Sequence, residues 1–467
     1  MGRRRKYYVE GNVEITGFAA EGKAFGKINN KIVFVAYAAP GDVVDVRITR
    51  NKSSFLEGRI ERIIQKSALR QEPFCSHFGV CGGCRWQHIP YEKQLEYKHN
   101  QVIDQLKHLG QIVPDVVNPI LGSEQTKYYR NKLEFTFSPK GWLTTEQLNS
   151  GDAFTPALGF HVPGQFDRVL DIDTCYLQDD ISNKIRHSIK KFAIEKGIPF
   201  HNLTTHEGLL RTMTIRITTT GEIMLIIMLF RHDEEVIQSL KEFVFNDLNI
   251  ITSLIFIVNT KLNDSFEGLS EFRTYGSEFI TENIDGLSFR IGPLSFFQTN
   301  SRQAVTMYRA VKDMCRLKGD EIVYDLYTGT GTIANYLAKH CKKVVGIEFI
   351  SEAVEHARIN SEVNGINNAV FVSGDMKDIL KPEFFNENGY PDVIVTDPPR
   401  AGMHPAVVET LLHSGINRIV YVSCNPATQA RDMKILSEKY KVTEVQPIDM
   451  FPHTYHVENI ALLERLI

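Results

Sequence analysis

The chain has 467 residues and a mass of 53.2 kDa, the length of about three domains of ordinary size. With 43% hydrophobic and 23% charged residues its composition is globular, which excludes a disordered, collagen-like or coiled-coil protein. The net charge of −3, from 53 basic and 56 acidic residues, taken alone argues against a nucleic-acid binder.

The charge is unevenly spread, however. Residues 1–70 hold 14 Lys and Arg against 7 Asp and Glu, a net of +7, so the remainder carries −10. A basic segment on an acidic body is the pattern of a polyanion-binding module. The amino end, Arg3-Arg4-Arg5-Lys6, leads into Tyr7-Tyr8-Val9-Glu10 without an apolar stretch, so no secretory signal is read and a reducing cytoplasmic setting is expected. The longest apolar run, 223–230, is far short of the about 20 residues that cross a membrane, and no membrane partner is expected.

Short strands are predicted at 13–17, 24–28, 31–38, 43–49 and 56–64, punctuated by Gly22, Gly26, Asn29-Asn30 and Pro40-Gly41-Asp42. Five strands at this scale suit a small barrel of the oligonucleotide-binding type. Arg47, Arg50, Lys52 and Arg59 are then placed to meet phosphates of RNA or DNA.

Three cysteines follow at once. Cys75, Cys81 and Cys84 form C-x5-C-G-G-C, too close together for all to pair as disulfides, and a metal is the better reading. Gly82 and Gly83 are expected to curl the backbone round a ligand through positive φ. A fourth ligand comes from Cys175, His77 or His88, and four sulfurs suit either tetrahedral zinc or an iron–sulfur cluster. An amphipathic helix is predicted from about 91 to 109; its docking face is not read, and the carboxy-terminal domain is a candidate. Residues 127–290 read as mixed strands and helices with no separate motif.

From Glu321 strands and helices alternate in the α/β manner, with strands at 322–327, 343–347, 369–372, 393–396 and 419–422, then two more near 442–446 and 460–466. Helices are predicted at 332–340 and 352–364. The first strand runs into Asp325-x3-Gly329-x-Gly331, and Glu348 closes the next strand 17 residues after Gly331, placed to accept ribose hydroxyls. Neither a third glycine nor a Gly-Lys-Ser/Thr is present, so an adenosine ligand without pyrophosphate fits better than a nicotinamide dinucleotide, and S-adenosylmethionine is the common one. Amino-methylating enzymes carry an aromatic after a Pro-Pro pair, where Asp397-Pro398-Pro399 is followed by Arg400; an exocyclic nitrogen target is therefore disfavoured. Cys315 and Cys341 are read as buried hydrophobes. Cys424, at a strand end between Ser423 and Asn425, is read as a nucleophile.

Five motifs occur in order along the chain: Phe296-Phe297-Gln298-Thr299-Asn300, Asp325-Leu326-Tyr327-Thr328-Gly329-Thr330-Gly331, Thr396-Asp397-Pro398-Pro399-Arg400, Ser423-Cys424-Asn425-Pro426, and Phe451-Pro452-His453-Thr454-x-His456-Val457-Glu458. Together they resemble the RNA uracil-5-methyltransferases over essentially the whole chain, and the amino-terminal barrel resembles the TRAM domain of members acting on 23S ribosomal RNA. The resemblance implies an OB-like TRAM β-barrel at 1–68, an α+β central domain at 69–290 with a four-cysteine 4Fe-4S site (Cys75, Cys81, Cys84 and Cys175), and a Rossmann-like class I α/β methyltransferase domain at 291–467. It implies Cys424 as nucleophile, Glu458 as general base, and Gln298, Tyr327, Thr332, Glu348, Asp375 and Asp397 around S-adenosylmethionine. Thr328 stands where the family often has cysteine and Thr332 where it often has asparagine. Tyr129-Arg130-Asn131-Lys132 resembles a family pattern expected to face RNA, with Arg211 as a further contact.

The implied reaction is methylation of uridine C5 in 23S ribosomal RNA by a monomeric cytoplasmic enzyme. Carbon 5 of uracil is a weak nucleophile until a thiolate adds to carbon 6, and a carboxylate must then remove the carbon-5 proton. Asp397 is expected to bond either the uracil edge or the donor amine. The same reaction on transfer RNA is the first alternative. Ribosomal RNA is preferred because the family's transfer-RNA enzyme resembles only the later two-thirds, lacking the barrel and the cysteine cluster. A non-catalytic RNA-binding protein with a structural metal is the second alternative.

Overall fold

Alternating apolar residues close the amino-terminal segment on itself. In the computed structural model, which describes residues 8–466 apart from Asp264, Glu267 and Ser270, five strands form a closed barrel in the order β1-β2-β3-β5-β4. These are β1 (Tyr8–Phe18), β2 (Ala24–Ile28), β3 (Lys31–Ala36), β4 (Val43–Asn51) and β5 (Phe55–Gln65). Val13, Ile15, Val33, Val35, Val44, Val46, Ile48 and Leu56 fill its interior, as the period of two requires. The stretch Arg3–Lys6 lies outside the described residues. Buried Asp42 accepts from Ala39 N, Ser67 N and the Arg70 guanidinium, pinning the chain that leaves the barrel.

Helix α1 (Tyr91–Gln105) continues through a π-helical turn, Leu106–Gly110, so the predicted 91–109 helix is one continuous rod. It packs on the carboxy-terminal domain, and β6 (Val116–Val117) behind it extends that domain's sheet.

The central region is a seven-stranded sheet of order β13-β12-β11-β10-β7-β8-β9. Its strands are β7 (Lys132–Ser138), β8 (Ala157–Val162), β9 (Gln165–Asp171), β10 (Leu210–Ile217), β11 (Ile223–Leu229), β12 (Ser253–Val258) and β13 (Phe272–Gly276), with helices α2 (Thr145–Ser150), α3 (Ile181–Glu195) and α4 (Glu234–Asp247). All of β11 is buried, and its two faces explain the unbroken apolar run. Leu225, Ile227 and Leu229 pack with Ile185, Ile189, Ile237 and Leu240 of α3 and α4. Met224 and Ile226 pack instead with Ile280 and Phe289 and with Met307 of the carboxy-terminal domain.

A hairpin, β14 (Ile280–Ile284) and β15 (Leu287–Ile291), and helix α5 (Ser301–Cys315) lead into the last sheet. There follow β16 (Ile322–Leu326), α6 (Thr332–Ala338), β17 (Lys343–Glu348), α7 (Ser351–Val363), β18 (Ala369–Ser373), α8 (Met376–Ile379), α9 (Pro382–Asn388), β19 (Val393–Thr396), α10 (Pro405–Ser414), β20 (Arg418–Ser423), α11 (Pro426–Leu436), β21 (Tyr440–Ile448) and β22 (Glu458–Arg465). The sheet order is β18-β17-β16-β19-β20-β22-β21-β6, with β22 antiparallel to both neighbours. Strand order reverses between β16 and β19, which puts the ligand crevice of an open α/β sheet at their carboxyl ends. Cys315 and Cys341 are buried, as read from the sequence.

Candidate active site

The crevice is built where β16 and β17 end. Tyr327 leaves β16 with φ 63°, a conformation few non-glycine residues adopt, and the chain then turns through Gly329 and Gly331 into α6. Gly331 has φ +76°, and a Cβ on it would lie 2.8 Å from Cβ of Ala357 on α7. The loop is thus pressed on its neighbours. Thr328 Oγ1 donates to Asp325 at 2.5 Å and Gly329 N donates to Glu348 at 3.1 Å. With the Glu348 carboxylate on a loop amide, the loop presents acid to a ligand where a phosphate would need free N–H groups. Asp325 Oδ1 and Thr396 Oγ1, buried at the ends of the two central strands, have no hydrogen-bond partner, so the crevice holds polar atoms that suit an adenosine-type ligand.

The other donor-site candidates ring this loop. Thr332 opens α6, its Oγ1 accepting from Tyr308 Oη at 3.1 Å. Asp375 follows β18 and caps α8, with Lys377 Nζ 3.0 Å away holding its carboxyl below the usual range. Gln298 is half-buried, and its carbonyl oxygen accepts from Asn131 Nδ2 at 2.8 Å. Asn300 caps α5 and donates through Nδ2 to Met450 O at 3.0 Å. Asp397 ends β19, and burial pushes its carboxyl up to about 7.

Cys424 and Glu458 meet beside Asp397. Ser423, the last residue of β20, is paired with Asn459 of β22, and Cys424 and Glu458 adjoin that pair, Cys424 just after β20 and Glu458 at the start of β22. Burial, then the Glu458 and Asp397 charges, push the Cys424 thiol up to about 11, while Arg400 acts against them. Glu458 is 5% exposed; burial and then Asp397 raise it to about 8, again opposed by Arg400. Two carboxyls of raised basicity therefore flank a thiol, the equipment for moving protons at near-neutral pH.

The loop before Glu458 is supported from far away in the chain. Lys98 and Asp449, both wholly buried, pair at 2.6 Å, and Tyr91 Oη donates to the second Asp449 oxygen at 2.9 Å. Gln94 accepts from His453 N at 2.9 Å. Tyr91, Gln94, Lys98 and Val102 recur at helical spacing on one face of α1, so the missed signal was a row of polar residues on a stripe that should be apolar.

Comparison with known proteins decides the family. Residues 274–466 match the family model described as tRNA (Uracil-5-)-methyltransferase, and residues 10–60 match the TRAM domain. An uncharacterized RNA methyltransferase of Bacteroides thetaiotaomicron is 50% identical over 96% of this chain and 99% of its own. One of Chlorobaculum tepidum is 42% identical over 97% and 95%. The chain belongs to the RNA uracil-5-methyltransferase family. Among solved structures, the Pyrococcus abyssi tRNA (uracil-54, C5)-methyltransferase in complex with S-adenosyl-L-homocysteine matches with a TM-score of 0.74 and 30% identity, over 97% of this chain and 100% of that one. The protein is an S-adenosylmethionine-dependent RNA methyltransferase. The Pyrococcus match extends over the barrel as well, so the barrel does not by itself select ribosomal RNA.

In this methyltransferase Cys75, Cys81, Cys84 and Cys175 line one cavity, walled by Phe78, Phe160, Ile172 and Leu177. Burial pushes the thiols of Cys81 and Cys84 up to about 11 and about 12, with neighbouring cysteines adding to it. Such thiols ionise together only beside compensating positive charge, so the all-sulfur donor set suits a metal group. Among the described residues no three Cys, His, Asp or Glu side chains converge into a single-ion site. His88 does not line the cavity and meets Ala38 O; His77 and Cys175 both line it, with His77 Nε2 accepting from Asp173 N, and Cys175 is the one that completes an all-sulfur set. The backbone at the adjacent glycines differs from the expectation. Gly82 and Gly83 do not have positive φ; Gly79 does, at 91°, and Gly82 is glycine because a Cβ would lie 3.0 Å from His161 O.

The proposed RNA contacts divide. Arg211 is 2% exposed and donates to the carbonyls of Asn259, Lys261 and Asn263, so it anchors a loop and does not reach RNA. Arg47 and Arg50 project from β4, paired with Glu61 and Glu57 at 2.5 and 3.6 Å. Lys132 is half-buried, and Arg130 lies 5.7 Å from the Phe451 ring centroid. Tyr128 N and Arg130 N donate to Tyr176 O and Leu177 O, and Asn131 N to Thr299 O. The Tyr-Arg-Asn-Lys segment thus ties the cysteine cavity to the Gln298 loop. Among the described residues no helix is long and apolar enough to cross a membrane.

Proposed function

We propose that the enzyme methylates carbon 5 of a uridine through a covalent Cys424 adduct. The observation that carries this reading is that Cys424 and Glu458 adjoin the paired Ser423 and Asn459, with the Glu458 and Asp397 charges acting on the thiol. Cys424 Sγ gives its proton to solvent and bonds uracil carbon 6 as the thiolate, which leaves Glu458 ionised for the later step. The electron pair of the 5,6 double bond moves to carbon 5 and the carbonyl beside it. S-adenosylmethionine, which Gln298, Tyr327, Thr332, Glu348 and Asp375 would hold, would supply the methyl group as an electrophile to carbon 5 and leave as S-adenosylhomocysteine. Glu458 then takes the carbon-5 proton, the double bond re-forms, and Cys424 leaves as thiolate. Asp397 fixes the uracil edge or the donor amine by a hydrogen bond.

The RNA is 23S ribosomal RNA, bound through the barrel face carrying Arg47 and Arg50 and through Arg130 and Lys132. Support for this comes from the likeness to TRAM-bearing members with four cysteines. The transfer-RNA reading is favoured by the match to the Pyrococcus tRNA enzyme over nearly the whole chain. Cys75, Cys81, Cys84 and Cys175 hold a 4Fe-4S cluster, which would supply the positive charge that their thiolates need; iron, sulfide and zinc analysis of anaerobically purified protein separates this from zinc.

Incubation with labelled S-adenosylmethionine and unmodified 23S, 16S and transfer RNA, followed by nucleoside mapping, tests the function. Label in 5-methyluridine of 23S RNA is expected. Label in transfer RNA alone overturns the ribosomal assignment, and no label in any RNA defeats the enzymatic reading.

A further inference from the structure

The cysteine-bearing segment and the segment that ends in Glu458 meet at one residue, His453. It has φ 64°, in the left-handed region that costs a non-glycine residue energy unless its surroundings hold it. They do so from several sides. His453 O accepts from Arg85 N at 2.8 Å and from Trp86 N at 3.0 Å, immediately after Cys84. The Phe74 ring, next to Cys75, lies 5.0 Å from the His453 ring. Gln94 closes the clamp. Its Oε1 accepts from His453 N at 2.9 Å, and its Nε2 faces His453 Nδ1 at 3.1 Å together with Trp86 O at 3.0 Å and Ile89 O at 2.8 Å. Gln94 is 0% exposed. Its amide thus bonds both the end of the cysteine segment and the loop whose fifth residue onward is Glu458.

We propose that Gln94 is a positioning residue for the proton-abstraction step: by clamping His453 in its left-handed conformation it sets the Glu458 carboxylate against the carbon-5 proton. Cys424 is held separately, by β20 and by Asn425 at the start of α11, where Asn425 Nδ2 donates to Arg400 O at 3.0 Å. Displacement of the His453 loop therefore reaches the base and leaves the nucleophile in place. Methyl transfer and adduct release respond differently to the clamp. This inference rests on the proposed roles of Cys424 and Glu458.

The test is single-turnover labelling of whichever unmodified RNA, 23S or transfer RNA, the wild-type enzyme methylates. Label in RNA and label in a protein–RNA band on a denaturing gel are followed together. For Gln94→Met, methyl transfer is expected near the wild-type rate, while the labelled protein–RNA band decays about ten- to a hundredfold more slowly. Should that variant fail to fold, Gln94→Asn, with its amide kept on a stem one methylene too short to reach both loops, carries the same expectation. Equal slowing of transfer and decay, or no change in either, overturns the proposal, because a general structural defect does not separate the two steps. Glu458→Gln serves as reference. If it traps the labelled band and the Gln94 variants do not, the positioning role alone falls; if it traps nothing, the role of Glu458 falls and the clamp's purpose with it.

Discussion

Cys424 and Glu458 adjoin the Ser423–Asn459 pair of β20 and β22, Cys424 just past the end of β20 and Glu458 at the first residue of β22. A nucleophile and a base that are 34 positions apart in sequence are thereby brought to the ends of two paired strands, Cys424 leaving β20 towards α11 and Glu458 entering β22 from the His453 loop.

Removing the sulfur should stop the reaction and leave donor binding. Cys424→Ala is expected to lose methyl transfer to any RNA while titration calorimetry still shows S-adenosylmethionine binding, because the Gly329–Gly331 loop and Glu348 are untouched. Measurable 5-methyluridine from this variant would show that another group is the nucleophile.

Glu458 makes stability and activity depend on pH in opposite senses. Its carboxyl is raised from 4.5 to about 8, so the folded state prefers the proton. Stability is full below the unfolded value and falls as pH rises through about 8. Glu458→Gln, which cannot ionise, should match wild type in melting temperature at pH 5 and exceed it at pH 8, by an amount on the order of a few kcal/mol in unfolding free energy. As the base must be ionised, kcat/KM of the wild type should climb towards about pH 8. A flat melting difference between the two pH values speaks against the buried, raised carboxyl.

The buried Lys98–Asp449 pair should be costly to break from one side. Lys98→Met leaves a carboxylate at 0% exposure without its cation, and a loss of about 3–5 kcal/mol in urea unfolding is expected. Lys98→Met with Asp449→Asn should recover part of it, since the amide keeps an acceptor for Tyr91. Additive losses in the double variant would deny the coupling.

Gly331→Ala tests the donor loop. Left-handed φ and the 2.8 Å approach to Ala357 predict a cost of about 1–3 kcal/mol and weaker S-adenosylmethionine binding, read by calorimetry. Unchanged binding would mean that the loop does not touch the donor.

Arg211→Ala and Arg47→Ala should part company. The first removes three carbonyl contacts of a buried guanidinium and should lower stability by about 1.5–3 kcal/mol or more without a specific change in RNA affinity. The second should leave the melt unchanged and weaken RNA binding modestly in low-salt filter assays. The opposite pattern would return Arg211 to the RNA surface.

Sequence alone determined most strands of the barrel and the catalytic sheet, because period-two burial and a βα alternation write themselves into local composition; β1 starts five residues before its expected 13–17, and the two-residue edge strand β6 carries no such pattern. It also determined the chemistry of the ends of those strands: Asp325, Glu348, Asp397 and Cys424 stand where an open sheet binds ligands, and each is marked by a turn or a glycine beside it. The near-neutral charge that first argued against RNA belongs to two segments of opposite sign. What only the tertiary structure decided depends on contacts between distant parts of the chain. Arg211 read as an RNA contact because a buried guanidinium on three carbonyls has the same letter as an exposed one. The polar face of α1 had no meaning until Asp449 and His453 lay against it, some 350 residues later. The cysteines, glycine loop and base are local words; which of them touch is settled by packing, and packing is not written in any one window of sequence.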